Sequence, residues 1–365
     1  MKNSLIVESS ANSCYFRTSV DDGSRKALVQ ITERCNLHCA HCFVSSMRNG
    51  RDMAIEDFVD VVIPQLRAAS VERVTLTGGE PFEHPEFLEF CRHLIAEGIP
   101  VGVCTNATLT DDWQIDELKA LGGVHINVSF DGFRPESHGK FRGNQASFAA
   151  TLETTRKIAA AGLLQGILST PNSLTTPDEF AALCEFALEV GAKYVLMNPV
   201  SAFGRGIKSK GRLEAPSVMM RKIKQATARF NSSELQVVDI RFPNDTLPLG
   251  GCDAGKLIYV FTDGTTAVCP YLVFAARNPV SRHDPAEFIV GNVLSDDVAK
   301  ALDDYRFHER YSVGNNSACR SCSLNTTCGK GCPAAVIADG GFIGSVDSLC
   351  PVPSVTREPL PLRAV

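Results

Sequence analysis

From residue 27 onward the chain alternates short runs rich in aliphatic and β-branched residues with longer amphipathic runs, and this alternation limits the fold more than any other feature. Strand-like runs occupy 27–32, 73–77, 101–105, 125–130, 166–170 and 194–197. Between them apolar residues recur at helical spacing. Phe87, Phe90, Cys91, Leu94 and Ile95 make one stripe, and Phe180, Leu183, Cys184, Ala187 and Leu188 make another. Thr176, Pro177 and Glu179 open the second helix with an N-cap, a first-turn proline and a capping box. Cys91 and Cys184 are accordingly core thiols. Repeated strand-helix units build a parallel sheet. Six of them fit an open doubly wound sheet or a partial (β/α)6 barrel, and periodicity does not choose between these.

The first strand runs straight into Cys35, Cys39 and Cys42, spaced C-x3-C-x2-C. Thiolates are soft ligands that suit iron-sulfur clusters or zinc, and three so close together can hold one polynuclear centre with a coordination position left open. The second strand ends in Thr77-Gly78-Gly79-Glu80-Pro81. Glycines there let the backbone approach a ligand closely, and the C-terminal ends of parallel strands are where barrel folds gather their sites; a plain strand-to-helix turn accounts for the same residues. Thr105 and Asn106 close the third strand, and Ser129 and Asp131 the fourth. Hydroxyls and carboxylates at strand tips suit hydroxyl recognition, although turn formation at Asp131-Gly132 explains the aspartate nearly as well. Arg142 carries the fork that binds a carboxylate on two bonds, or else is a surface arginine.

Fourteen cysteines without a signal peptide argue for metal ligation in a reducing, cytoplasmic compartment over disulfides. After the three front thiols, seven more lie in the last third of the chain: Cys252, Cys269, Cys319, Cys322, Cys328, Cys332 and Cys350. That region changes character. Runs 257–261 and 265–269 flank Asp263-Gly264, a hairpin turn signal, and 319–333 has little apolar periodicity, so ligands organise it more than a core does. The basic run 198–212 reads as a loop at the sheet mouth, solvated or, less simply, anion-binding. A helix near 218–230 and a strand at 235–241 follow. Net charge of -5 gives no basic field for nucleic acid, and no stretch has the length of a membrane span.

The front motif, with His41 where many relatives carry an aromatic residue, and Gly78-Gly79-Glu80 one strand later together resemble the radical S-adenosylmethionine (SAM) enzymes. The late cysteines resemble the SPASM extension of that family. The resemblance implies the partial barrel over 27–232, preceded by an arm at 1–26, and followed by a bridging segment at 233–251, the SPASM unit at 252–350 and a tail at 351–365. It implies three [4Fe-4S] clusters: one on Cys35, Cys39 and Cys42 that SAM completes, one on Cys319, Cys322, Cys328 and Cys350, and an inner one on Cys252, Cys269 and Cys332 that is a ligand short. His41, Gly78, Gly79, Glu80, Thr105, Asn106, Ser129, Asp131 and Arg142 would hold SAM: Glu80 its ammonium, Arg142 its carboxylate, and the residues ending the third and fourth strands its ribose side. Reductive cleavage would yield a 5'-deoxyadenosyl radical that takes a substrate hydrogen, with flavodoxin or ferredoxin as electron donor.

The substrate implied is a ribosomal peptide that is crosslinked, oxidised or epimerised, and the alternative is a small metabolite such as an aminocyclitol or sugar. A non-catalytic electron carrier or zinc protein would share the cysteines but has no use for the Gly-Gly-Glu strand tip. The 26 residues before the first strand fall short of the roughly 80 that an independent peptide-binding domain takes, so leader recognition is expected from the SPASM region, the arm or a separate protein. Sulfatase-maturing relatives carry an aspartate after the cysteine that follows the hairpin. Here Cys269 precedes Pro270 and Tyr271, which leaves Asp253, Asp263 and Tyr271 as the local candidates for a base.

Overall fold

The computed structural model describes residue 11 and residues 23–352. Cys14, the rest of the N-terminal arm up to residue 22, and the tail beyond 352 lie outside the described residues.

Ten strands form one sheet: β1 (Arg25–Thr32), β2 (Val71–Gly78), β3 (Val101–Thr105), β4 (Val124–Ser129), β5 (Leu164–Ser169), β6 (Tyr194–Met197), β7 (Gln236–Asp239), β8 (Leu257–Val260), β9 (Thr265–Ala267) and β10 (Ile289–Asn292). Their order is β10-β9-β8-β1-β2-β3-β4-β5-β6-β7. β1 to β7 pair in parallel in chain order, and the sheet does not close on itself, as a partial barrel requires. On the other side of β1 lies β8, also parallel, with Ala27 opposite Ile258 and Val29 opposite Val260. β9 and β10 then add antiparallel, so the region after residue 252 continues the same sheet.

The helices stand where the apolar stripes put them. In Phe87–Ala96, the side chains of Phe87, Phe90, Cys91 and Leu94 are buried. In Pro177–Glu189, Phe180, Leu183, Cys184 and Ala187 are buried, whereas Leu188, next to the helix end, is 37% exposed. Thr176 does cap this helix, and Glu179 accepts its backbone N–H at 3.0 Å. The hairpin turns at Asp263-Gly264, with Gly264 at φ +82. One expectation changes: the run 198–212 is not all loop, because Gly206–Leu213 is a helix. Two glycines and few apolar residues give it poor intrinsic propensity, and its stability comes from contacts with the cysteine loop described below.

β7 alternates sides. Val238 packs with Leu196 and Ile240, while Asp239 lies near Cys184 of the helix layer. Asp239 Oδ1 is buried without a hydrogen-bond partner, and burial raises its carboxyl to about 6, against a smaller lowering by Lys224. A carboxyl raised above its unfolded value stabilises the fold most at low pH, and that contribution is lost as pH climbs from about 4 through 6. Asp239→Asn is therefore expected to raise stability at pH 7.5 by about 1–2 kcal/mol and to leave it unchanged at pH 4, measured by urea unfolding at both pH values.

A candidate radical site at the strand ends

The C-terminal ends of β1 to β6 open onto a cleft of about 1390 Å³, its open mouth included. All twelve front candidates named from the sequence line it, from Cys35 to Arg142. Four successive strand ends, β1 to β4, thus deliver these residues to one place.

The loop after β1 brings Cys35, Cys39 and Cys42. Cys35 N–H donates to Met47 O at 3.0 Å, closing the loop on itself, and Cys42 N–H reaches Cys39 O at 3.4 Å. Burial pushes the Cys35 thiol up to about 12, with Glu80 and the neighbouring thiols adding to the rise, and the Cys39 thiol to about 11, where Arg142 and Arg205 pull the other way and Cys42 and Asp131 add to it. Such thiols are protonated unless a cationic centre claims them.

Gly78 and Gly79 line the cleft and also meet the backbone of the cysteine loop. A Cβ at Gly79 would lie 1.9 Å from Arg34 O, and one at Gly78 would lie 2.3 Å from Thr32 O. Gly79 N–H donates to Thr32 O at 2.9 Å and Glu80 N–H to Arg34 O at 2.8 Å. The close approach is between β2's end and the start of the cysteine loop, and it locks the two together.

Glu80 is 1% exposed. Its Oε1 accepts from Thr105 Oγ1 at 2.6 Å and from Phe82 N–H at 3.4 Å, and its Oε2 from Asn106 N–H at 2.7 Å. A carboxylate accepts about four bonds, so one position on Oε2 remains. Burial raises its carboxyl to about 7, with the Asn106 and Thr105 bonds pulling the other way. Thr105 and Asn106 thus serve Glu80 before any ligand. The Asn106 side chain also donates to Asn36 Oδ1 at 3.0 Å, tying β3's end to the cysteine loop.

Asp131, 1% exposed, accepts from Thr170 N–H at 2.8 Å and pairs with Arg142 at 2.8 Å. His41 Nε2 lies 3.5 Å from the same carboxylate oxygen, and its ring stacks on Phe141 at 4.6 Å. Burial alone would raise the Asp131 carboxyl; Arg142, His41 and His138 outweigh it and hold the group below its ordinary value. Arg142 is itself 5% exposed, and its Nε has no hydrogen-bond partner. Its guanidinium therefore keeps an edge for a ligand while Asp131 neutralises it. The run 133–137 leading to Arg142 is pinned by Glu179, which accepts from Phe133 N–H at 2.9 Å, from Arg134 at 2.8 Å and from Ser137 Oγ. Ser129 lines the cleft beside this pair.

Sequence reasoning passed over Ser169, whose buried hydroxyl has no partner in the cleft wall, although its place at the end of β5 was signal enough. It also passed over Arg205 and over His138, whose imidazole burial pushes down to about 3. The late cysteines lie outside the cleft wall, but Pro270 and Tyr271, directly after Cys269, are part of it. The late thiols interact electrostatically in two sets, Cys252 with Cys269 and Cys332, and Cys350 with Cys319, Cys322 and Cys328.

Residues 29–187 match the radical SAM superfamily. The mycofactocin maturase of Mycolicibacterium smegmatis is 26% identical over 334 residues, covering 88% of this chain and 81% of that protein. The antilisterial bacteriocin subtilosin biosynthesis protein of Bacillus subtilis is 26% identical over 298 residues, covering 79% and 61%. In fold, Streptococcus suis SuiB bound to its precursor peptide SuiA superposes with a TM-score of 0.69 at 16% identity over 92% of this chain and 77% of that one. Histidine-tagged anSMEcpe with bound AdoMet gives 0.67 at 17% identity over 90% and 94%. With three thiols, a Gly-Gly-Glu strand tip and an open parallel sheet converging on one cleft, the chain carries a radical SAM domain, the SAM- and [4Fe-4S]-binding unit of an enzyme superfamily.

Proposed function

We propose that this protein modifies a ribosomally made peptide by radical chemistry, using one SAM-binding cluster on Cys35, Cys39 and Cys42 and two auxiliary clusters in a SPASM unit spanning 252–350. The convergence of the three thiols, Glu80 and the Asp131–Arg142 pair in one cleft carries the reading. Bound there, the cluster and SAM supply a carbon-centred radical able to take an unactivated hydrogen atom.

The chain's own groups do the positioning. Glu80, oriented by Thr105 and Asn106, offers its remaining lone pair to the SAM ammonium, and Arg142 offers its unpartnered edge to the SAM carboxylate. Ser129 and Ser169 face the ribose side. His41, between Phe141 and Asp131, holds the cysteine loop against that side of the cleft. Behind, Cys319, Cys322, Cys328 and Cys350 suffice for one auxiliary cluster. Cys252, Cys269 and Cys332 serve the other and leave a ligand position to a non-cysteine group or to substrate. Among the described residues no three Cys, His, Asp or Glu side chains converge at single-ion distance. A peptide substrate is favoured over a small metabolite because the relatives that align over most of the chain include a mycofactocin maturase and a bacteriocin biosynthesis protein. Flavodoxin or ferredoxin would supply the electron, in the cytoplasm. No helix among the described residues is long and apolar enough to cross a membrane.

Anaerobically reconstituted protein is expected to hold about 12 irons per chain and to form 5'-deoxyadenosine with dithionite. Replacing Cys35, Cys39 and Cys42 by Ala should abolish that product and retain about two-thirds of the iron; stoichiometric zinc in place of iron would refute the reading. Because the Glu80 carboxyl stands near 7, SAM affinity should weaken as pH falls from 8 to 6, when the carboxylate facing the ammonium is protonated. Glu80→Gln should bind SAM weakly at both pH values with its iron intact, read by calorimetry. Since Pro270 supplies neither a titratable group nor a donor after Cys269, a sulfatase-type cysteine or serine peptide should yield no formylglycine above the background of SAM cleavage, measured by mass spectrometry.

A further inference from the structure

The segment after β6 does something that no motif in the front half announces. Asn198, Pro199, Val200, Ser201 and Phe203 line the same cleft as Glu80 and Arg142. Directly after them the backbone folds onto the cysteine loop. Arg205 Nε donates to Cys39 O at 2.8 Å, its Nη1 to Ser46 O at 2.7 Å, and its backbone N–H to Cys42 O at 2.9 Å. Ser209, one helical turn on, donates its hydroxyl to Ala40 O at 2.7 Å. Four carbonyls of a twelve-residue loop, Cys35 to Ser46, are thus held from one side by two side chains and one backbone N–H. Gly204, at φ +50, makes this possible: a Cβ there would stand 2.4 Å from Phe43 O and 2.5 Å from Cys42 O.

These contacts are specific in kind. A guanidinium reaches two carbonyls seven residues apart because its donors diverge in a rigid plane, and lysine's single ammonium cannot serve both with the same geometry. The arginine also places a permanent positive charge beside the loop that carries Cys39 and Cys42. Asp131 pairs with Arg142 and not with Arg205, and no carboxylate within salt-bridge distance of Arg205 occurs among the described residues. A fixed cation near an iron-sulfur centre favours its reduced, more negative state.

We propose that Arg205 is a positioning residue that joins the substrate-side wall, 198–203, to the front cysteine loop, setting the loop's conformation and raising the reduction potential of the centre it holds. This rests on the proposed assignment of Cys35, Cys39 and Cys42 to a cluster, but the first part does not need the cluster loaded. The wall and the thiol loop are thus joined through Gly204 and Arg205.

The test uses the full chain with Arg205→Gln and Arg205→Lys. In metal-free protein, hydrogen-deuterium exchange of peptides covering 38–46 should speed up about tenfold or more in both variants, since charge-assisted bonds to part-buried carbonyls are lost, while peptides from β3 to β5 exchange as in the parent. In reconstituted protein, the cluster removed by the Cys35/Cys39/Cys42 triple substitution should show a lowered midpoint potential and an altered EPR signal in Arg205→Gln, with the potential restored in Arg205→Lys, which keeps the charge. Unchanged exchange in 38–46, or an unchanged potential in an iron-replete Arg205→Gln protein, would overturn the proposal. A parent protein that takes up no iron at the front site would refute the cluster assignment instead, and the exchange measurement would still decide the role of Arg205 in shaping the loop.

Discussion

The carbonyl oxygen of Arg34 lies 1.9 Å from where a Cβ at position 79 would sit, so the end of β2 and the start of the cysteine loop meet backbone against backbone. Much of the site depends on that meeting. It fixes the exit direction of the chain from β1 and places Cys35 beside Glu80, whose charge the Cys35 thiol feels. The two ladder-like bonds, Gly79 N–H to Thr32 O and Glu80 N–H to Arg34 O, give the loop an anchor as firm as a strand pairing. A side chain at position 79 would force the loop out and carry all three thiols with it.

Around this anchor the charges are set in advance. Glu80 is surrounded by donors from β3's end, and Asp131 is surrounded by Arg142, His41 and Thr170. A zwitterionic ligand entering between them meets an acceptor already oriented by its neighbours and a guanidinium already desolvated, so little reorganisation is left for the moment of binding. Two buried polar atoms without hydrogen-bond partners, Arg142 Nε and Ser169 Oγ, belong to residues that line this cleft. Buried polar atoms without partners are costly.

Most of the strands and the helices Phe87–Ala96 and Pro177–Glu189 were legible because their signals are local: a period of two or 3.6 residues, a capping box, an Asp-Gly turn. The front site was legible for a related reason, since parallel strands deliver their ends to one face and a polar residue at a strand end needs no tertiary knowledge to be placed. The choice between an open and a barrel-like sheet was not local and came only from resemblance. Neither Arg205 nor the helix Gly206–Leu213 could be read, because a basic, glycine-containing run looks like a solvated loop until the carbonyls of the cysteine loop are set beside it. For Gly78 and Gly79 one need for glycine was not visible in the sequence: what crowds them is a segment more than forty residues earlier in the chain.

β1 pairs with β2 on one side and with β8 on the other, yet β8 begins at Leu257 and β1 at Arg25. β1 is also among the most buried strands, with seven of its eight residues inside. As the polypeptide leaves the ribosome, this apolar strand therefore waits with one edge unpaired until β8 has been made. An open apolar edge is a template for pairing with another chain, and contacts this distant in sequence form late. The nascent protein is thus exposed to misassociation throughout that interval, and the thiol-rich final third, by covering the edge, closes it.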